Sequence, residues 1–354
     1  MWRKEEKMRT ISKEELDLIL NDHSTWLLDN IKGKRANLSY AELSEADLSK
    51  ADLSEANLFD TDLSYADLSK ADLSYANLSY ADLSHADLSK ADLSNADLSK
   101  ANLTKANLTK ANLSEADLIY ANLYKANLSE ANLSLADLYK ADLTGADLYK
   151  ANLTKANLTK ANLSYANLSE ADLPGADLSE ADLTKADLYK ANLSYANLSE
   201  ADLSYANLSE ADLSYANLSK ANLSKANLSR ADLFEININN TCLDPTIILP
   251  ILTDKEILNS GLEIDGEYIY GWRTNNSYVI NKNFFYTQRE EPYVAPYFSS
   301  DVKTDCHPGI YIDGLNQLKL EYYPDSTFIR VKCLRKELLH TNDNKWRAKR
   351  IWVV

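Results

Sequence analysis

Residues 46–50 of this chain read Ala-Asp-Leu-Ser-Lys, residues 101–105 read Ala-Asn-Leu-Thr-Lys, and residues 211–215 read Ala-Asp-Leu-Ser-Tyr. The same five-residue unit recurs without insertion or deletion from residue 36 to residue 235, and leucine occupies its third position in all 40 units. Alanine occupies the first position in every unit except the one that begins with Thr61. A repeat this regular decides the fold before any other feature of the chain.

A period of five residues matches neither the period of a helix nor the alternation of a strand. It matches a coil of four short sides, each one unit long, in which the alanine and the leucine point inward and the other side chains face water. Stacked coils would lie about 4.8 Å apart, and each coil would bury its leucines only under a neighbouring coil. We therefore predict a core ladder, sampled by Leu38, Leu83, Leu133, Leu183 and Leu233.

The tandem units resemble those of the pentapeptide-repeat family, and the resemblance covers more than half of the chain. It implies a mainly β fold, the right-handed quadrilateral β-helix, with about ten coils for the 40 units seen here. On this basis we predict an N-terminal helical cap in residues 1–35, the solenoid in residues 36–243 and a small C-terminal α+β domain in residues 244–354.

The segment before the repeats predicts one helix, because Ser12 and Glu15 have the spacing of a capping box. His23, Trp26 and Leu27 lie in a run that looks like the lead-in of many bacterial and phage pentapeptide-repeat proteins, which implies a cap over the first coil. A ligand site at His23 and Trp26 is the alternative. The cap is favoured because the open end of a solenoid must be covered.

The formal net charge of −15 arises within the repeats, where 31 acidic side chains stand against 16 basic ones. The flanking segments together carry 22 of each sign and are neutral. Three cysteines form no disulfide framework in a chain of 354 residues. The chain contains no apolar run of membrane-spanning length and no signal-peptide core near its first residue. We therefore predict a cytoplasmic protein without a membrane partner.

The fifth position of the unit varies freely and carries most of the surface chemistry. When fifth positions are sorted by side of the coil, one side is mostly lysine and the other three collect tyrosines. One interpretation of the tyrosines is a strip that binds a partner protein toward the C-terminal end. The sequence favours the alternative, a solvated surface on which lysines lie next to the acids and limit their repulsion. The candidate partner-binding residues are Tyr75, Tyr195, Tyr215, Tyr165 and Tyr205.

Beyond the repeats the pattern changes to that of a small α+β domain. We predict a helix that begins near Thr253, a hairpin that pairs residues 267–274 with residues 277–281, and a second helix over residues 315–322. A run that begins at Cys306 and His307 resembles uncharacterised domains appended to repeat proteins of phages and large DNA viruses. That resemblance implies no known activity.

Cys306 and His307 are the one adjacent pair with the residue types of a chemical site. A zinc site would need them to converge with Cys333 and His340, and this spacing matches no tight zinc motif. A nucleophilic pair would need side chains that face each other, whereas neighbours on a strand point to opposite faces. The chain also lacks a glycine motif that cradles phosphate. We predict no catalytic residue, no metal and no cofactor.

Two functions are open for such a chain. The unbroken array and the separate tail favour a non-enzymatic scaffold or adaptor that mediates protein–protein interaction. The resemblance implies an alternative, a DNA mimic that binds a type II topoisomerase such as gyrase. The rod would be about 48 Å long, and B-DNA of that length carries roughly 28 phosphate charges, about twice the charge of −15.

Nucleic acid binding is disfavoured, because the basic side chains of the tail are interspersed with acids. The oligomeric state is left open by the sequence, since an unbroken rod needs no second copy to close it.

Overall fold

The computed structural model describes residues 8–234, 236–238 and 241–242 and, farther along the chain, the backbone of ten strands. Strand β1 (Arg9–Thr10) and helix α1 (Lys13–Leu28) precede the repeats, and strand β2 (Ala41–Glu42) opens the second repeat unit. Strand β1 pairs in parallel with β2, so the segment before the repeats is hydrogen-bonded to the first coil.

The repeats form a β-solenoid in which each turn of the coil takes 20 residues. The second residue of each unit forms a parallel bridge with the residue 20 positions later, from the pair Asn37 and Asn57 to the pair Asn222 and Cys242. Two backbone hydrogen bonds accompany each bridge. In the middle of the array, the Leu133 amide donates to the Asn152 carbonyl at 2.6 Å, and the Asn152 amide donates to the Ala131 carbonyl at 2.9 Å. Four units therefore make one coil, and each side of the coil is one unit long.

The first and third side chains of the units fill the interior, which is a single cluster of alanine and leucine. Four of the five sampled leucines, Leu38, Leu83, Leu133 and Leu183, have 0% of their surface exposed. The fifth, Leu233, is partly buried and packs against this cluster from the last repeat unit.

Each corner of the coil is a β-turn that runs from the leucine to the alanine of the next unit. The Ala136 amide, for example, donates to the Leu133 carbonyl at 3.1 Å. The fifth residue of each unit has a positive φ, between +54° and +63° at the non-glycine positions. This is the φ pattern of a type II turn, for which glycine or asparagine is ordinarily preferred. Only Gly145 and Gly175 supply a glycine, so the stacked backbone imposes the conformation at the other corners.

A side-chain hydrogen bond closes the turns whose second residue is Asp or Asn, with the exception of the turn that follows Asp172. The Asp47 carboxylate accepts a hydrogen bond from the Ser49 amide at 3.0 Å, and the Asn152 side-chain carbonyl accepts one from the Thr154 amide at 3.0 Å. Asp and Asn can both accept this bond, which explains why the two residues alternate at this position. Asn additionally donates to the neighbouring coil, as from Asn102 to Asp82 at 3.0 Å.

Helix α1 begins where the sequence predicts, since the Ser12 hydroxyl accepts a hydrogen bond from the Glu15 amide at 3.2 Å. Its residue His23 has 0% exposure and is held between the helix and the first coils. The His23 Nδ1 accepts a hydrogen bond from the Ala36 amide at 3.1 Å, and its Nε2 donates to the Ser54 carbonyl at 3.0 Å. Burial lowers the pKa of His23 below its ordinary value.

The last turn of α1 differs in part from the expectation. Trp26 stacks on the His23 ring with 5.6 Å between centroids, whereas Leu27 is half-buried and lies outside the core cluster. The chain returns along this turn, where the Lys34 amide donates to the Asp22 carbonyl at 3.2 Å. Gly33 permits the close approach, because a Cβ at that position would collide with the helix backbone.

Ten strands, β3–β12, follow the solenoid, and their bounds are Glu263–Asp265, Tyr268–Thr274, Asn276–Val279, Lys282–Phe285, Tyr293–Val294, Ile310–Ile312, Phe328–Leu334, Leu338–His340, Trp346–Ala348 and Arg350–Val353. One sheet has the order β3-β4-β9-β12-β7, a second has the order β10-β11-β8, and β5 pairs with β6. All of these pairings are antiparallel.

The predicted hairpin between residues 267–274 and 277–281 is wrong. Strand β4 pairs instead with β3, and β5 pairs with β6. The predicted helices near Thr253 and over residues 315–322 lie outside the described residues, as do Cys306 and His307.

Cys242, at the end of the solenoid, is 7% exposed and is disulfide-bonded. The cysteine count did not predict this bond, because three cysteines build no framework yet still allow one bridge.

Candidate partner-binding surface

The fifth residues of the units form four edges along the rod, because residues 20 apart occupy adjacent coils. We name them in order around the coil, each taken in steps of 20 residues: edge I runs from residue 40 to 220, edge II from 45 to 225, edge III from 50 to 230 and edge IV from 55 to 215. Edges II and IV are therefore on opposite sides of the rod.

The five candidate tyrosines are divided between these two opposite edges, so the structure does not bring them together. Tyr165 and Tyr205 lie on edge II, and Tyr75, Tyr195 and Tyr215 lie on edge IV. All five are exposed, with values from 45% for Tyr215 to 64% for Tyr195. Tyr75 is also six coils away from Tyr195 along edge IV. A single surface built from all five is not possible on this fold.

On edge II the tyrosines are bound by lysines of the same chain. The Lys185 ammonium donates to the Tyr165 hydroxyl at 2.9 Å, and the Lys225 ammonium donates to the Tyr205 hydroxyl at 2.8 Å. The hydrogen bond that Lys185 donates to Tyr165 raises the pKa of Lys185. Each ammonium also lies 4.8 Å from the centroid of its tyrosine ring. These contacts occupy the groups with which the edge II tyrosines would bind a partner.

On edge IV the aromatic rings contact one another instead. Tyr195 and Tyr215 are stacked, with 4.7 Å between centroids and 6° between ring planes. Phe234 packs edge-on against Tyr215 at 5.4 Å and is itself 50% exposed. The candidate partner-binding residues did not include Phe234, although its presence at a fourth position normally held by Ser or Thr set it apart in the sequence. We call these three residues the aromatic stack.

Edge III carries the lysine-rich stripe, and ion pairs neutralise its C-terminal half. The pairs along this half are Lys110 with Glu130 at 3.3 Å, Lys150 with Glu170 at 3.3 Å, Lys190 with Glu210 at 3.7 Å and Arg230 with Glu210 at 3.3 Å. Within the part of the chain that the structure covers, Lys50, Lys70 and Lys90 form no such pair. Exposed pairs of this kind contribute little stability.

The negative charge is unevenly distributed along the rod. Residues 36–97 carry 13 acidic and 3 basic side chains, a net charge of −10. Residues 98–168 carry 6 acidic and 8 basic side chains, a net charge of +2, and residues 169–235 carry 12 and 5, a net charge of −7. The rod therefore has two acidic ends and a nearly neutral middle, because asparagine replaces aspartate at most second positions of the middle stretch.

Aspartates that follow one another along one side of the coil repel each other. Asp97, Asp117 and Asp137 form successive bridges. Burial raises the pKa of the Asp117 carboxyl, and the charges of Asp97 and Asp137 raise it further.

Among the residues for which side chains are described, no group of three or more His, Cys, Asp or Glu is placed to hold a metal ion. No helix in the described part of the chain is long and apolar enough to cross a membrane.

A family model for pentapeptide repeats matches this chain in eight copies. The matched stretches are residues 36–74, 66–104, 76–114, 96–134, 136–173, 161–199 and 191–230. A comparison with curated protein sequences found no match.

The chain is also similar to solved structures. One is HetL, a pentapeptide repeat protein involved in heterocyst differentiation regulation from the cyanobacterium Nostoc sp. strain PCC 7120. The two sequences are 35% identical, the TM-score is 0.52, and the match covers 66% of this chain and 97% of HetL. Another is a trypsin-treated form of QnrB1, a plasmid-mediated fluoroquinolone resistance protein, with 20% identity and a TM-score of 0.38 over 56% of this chain and 90% of QnrB1.

Proposed function

Because the chain belongs to the family of pentapeptide repeat proteins, we propose that it is a non-enzymatic scaffold or adaptor that binds another protein. In this proposal residues 36–243 form a rigid, right-handed solenoid of about ten coils. Residues 1–35 are its helical cap, and residues 244–354 are a separate C-terminal domain. HetL, which is described as involved in regulation of differentiation, is consistent with an adaptor role.

The aromatic stack on edge IV is the observation that carries this proposal. Tyr195, Tyr215 and Phe234 expose 64%, 45% and 50% of their surface although they contact one another. Ring-to-ring contact restricts the motion of these side chains before a partner binds. Binding would therefore cost little additional side-chain entropy. Tyrosine and other aromatic side chains provide most of the energy at protein interfaces. The rod holds these rings on a backbone that is hydrogen-bonded on both sides.

The test is affinity capture from an extract of the host with the full-length chain, its Tyr215→Ser variant and a Tyr75→Ser control. Both tyrosines are on edge IV, and serine removes the same ring in each, but Tyr75 is outside the aromatic stack. We expect Tyr215→Ser to reduce retention of the partner by about tenfold or more, and Tyr75→Ser to leave it unchanged. Equal retention by all three proteins would contradict the proposal.

A second candidate function, a DNA mimic that binds a type II topoisomerase, is favoured by the charge of one part of the rod. The stretch of residues 36–97 is about 15 Å long at the strand spacing. B-DNA of that length carries about nine phosphate charges, and this stretch carries a net charge of −10. The match is confined to the first acidic end, because the middle of the rod is nearly neutral.

Inhibition of DNA supercoiling by purified gyrase distinguishes the two functions. The mimic predicts inhibition by the full-length chain, lost when Asp67 and Asp87 are replaced by Asn. Asparagine fits both positions because it occupies the same ladder at Asn107 and Asn127. The scaffold predicts no inhibition by either protein.

A further inference from the structure

One repeat unit lacks the hydrogen bond that closes every neighbouring turn. From Asn37 to Asp232, each Asp or Asn at a second position accepts a hydrogen bond from the amide two residues later, with the exception of Asp172. The residue two positions after Asp172 is Pro174, which has no amide hydrogen. The Asp172 carboxylate also accepts no bond from the next coil, whereas Asp177 accepts one from the Asn197 side chain at 3.0 Å. Asp172 is exposed to solvent.

The corner next to Pro174 has no side chain. Gly175 has a φ of +67°, and a Cβ built there would meet only one atom within 4 Å, the Lys155 Cγ at 3.6 Å. Proline followed by glycine suits a type II turn by itself, but the other corners form this turn without the pair. The missing side chain therefore leaves a space on edge IV between Lys155, one coil earlier, and Tyr195, one coil later. These two layers are about 9.6 Å apart, which leaves room for one planar group.

Tyr195 presents a ring face to this space. One face of the ring stacks on Tyr215 at 4.7 Å along the rod. The corresponding position on its other side belongs to Gly175, which contributes no side chain to that face. Tyr195 is 64% exposed, the largest value among the tyrosines of the rod. An exposed aromatic ring, a carboxylate without a hydrogen bond in the described structure and a corner without a side chain thus lie in one repeat unit and the coil directly after it.

We propose that Asp172, Gly175 and Tyr195 form a notch that binds the guanidinium group of an arginine on a partner protein. A guanidinium is flat enough to enter between two layers, and it stacks on tyrosine while its N–H groups donate to a carboxylate in a bidentate pair. A lysine ammonium would satisfy the charge but not the planar space. An aromatic side chain would fill the space but leave Asp172 without a donor. This inference rests on the proposed partner-binding function and names the chemistry of the partner.

The charges around the notch favour a cation, with one exception. Asp177 lies in the same coil as Asp172, but its carboxylate already accepts a hydrogen bond from the Ser179 amide at 2.9 Å. It therefore contributes negative potential and not a direct contact. Lys155 is the opposing group, because it occupies the same edge one coil earlier and its Cγ would lie 3.6 Å from a Cβ at Gly175. We expect Lys155→Gln to bind an arginine probe more tightly than the unchanged chain does.

The experiment titrates the full-length chain, isotope-labelled in its tyrosine rings, with the capped tripeptides Gly-Arg-Gly and Gly-Lys-Gly. Chemical shifts of the rings are followed by NMR, and the Tyr195 signal is assigned from its absence in Tyr195→Phe. We expect the arginine peptide to shift the Tyr195 signal with saturation, and the lysine peptide to bind about tenfold more weakly. Equal responses to the two peptides, or no shift at Tyr195, would overturn the proposal.

Two variants test the notch without changing its tyrosine. Gly175→Lys fills the corner with a residue that the same turn accepts elsewhere, and Pro174→Ser restores an amide that can engage the Asp172 carboxylate. Each is expected to weaken binding of the arginine peptide by about fivefold or more. The matched control is Gly145→Lys, which fills the other corner glycine, on edge II, and should leave binding unchanged.

If Gly175→Lys binds the arginine peptide as well as the control does, the notch is not the site. The peptide titration and the capture experiment fail independently, because capture depends on Tyr215 and the titration depends on the space at Gly175.

Discussion

Two leucines of one repeat unit provide a matched test of the leucine-cored solenoid. Leu133 occupies the third position of its unit and is 0% exposed, whereas Leu135 occupies the fifth position and is 55% exposed. The same change to alanine removes the same atoms at both positions. At Leu133 it leaves a cavity between covered coils, which costs about 2–5 kcal/mol of unfolding free energy. At Leu135 the removed atoms are largely in water, so the cost is within about 0.5 kcal/mol.

The assay is equilibrium unfolding of the full-length variants in urea, followed by far-UV circular dichroism. Because a solenoid can open locally, native-state hydrogen exchange of the Leu133 amide, which donates to the Asn152 carbonyl, is measured as well. We expect faster exchange in Leu133→Ala and no change in Leu135→Ala. Equal destabilisation by the two changes would refute the inward orientation of the third position.

The remaining predictions concern the helix and the acidic ladders. Burial lowers the pKa of His23, so its contribution to the attachment of α1 is complete above about pH 6.5 and decreases below it, by at most about 1.4 kcal/mol per pH unit. Local opening measured by hydrogen exchange of the α1 amides should therefore become more frequent as the pH falls below about 6.5. His23→Asn should remove this pH dependence, whereas His85→Asn, at an exposed position, should leave it unchanged. Gly33→Ala should accelerate the same exchange at every pH, because its Cβ would collide with the helix backbone; unchanged exchange would contradict the observed packing. Asp117→Asn should raise the unfolding free energy measured in urea by up to about 1 kcal/mol, because it removes repulsion within a ladder. Asp47→Asn should not raise the unfolding free energy, because hydrogen bonds from Ser49 favour the charged carboxylate and lower the pKa of Asp47. A larger gain in unfolding free energy from Asp47→Asn than from Asp117→Asn would contradict this explanation.

Sequence analysis predicted the solenoid because its determinants are local and repeated. Alanine and leucine recur at fixed spacing, and one unit suffices to define which side chains face inward. The start of α1 was predictable for the same reason, since Ser12 and Glu15 are three residues apart. Leu27 was placed on the helix face by periodicity alone. The partial burial of Leu27 and the close approach of Gly33 to the helix backbone are tertiary features that periodicity does not contain.

The surface was predicted less well, because it depends on relations between coils. A list of tyrosines does not show that the Tyr165 hydroxyl accepts a hydrogen bond from Lys185 while Tyr195 stacks on another ring. The positive φ of the corners was also missed, because only two corners carry the glycine that signals it. The pair Pro174 and Gly175 was the visible irregularity. Asp172 differs from every other Asp or Asn at a second position between residues 37 and 232, because each of those accepts the hydrogen bond that Pro174 cannot donate.

The central claim is that the chain binds a partner protein through the aromatic stack on edge IV. The most direct measurement replaces Tyr215 by the photoreactive residue p-benzoylphenylalanine in the full-length chain, with the same replacement at Tyr75 as the comparison on the same edge. After irradiation in host cells, the account predicts one discrete cross-linked protein from position 215 and none from position 75. Absence of a product from position 215, or the same product from both positions, would contradict it.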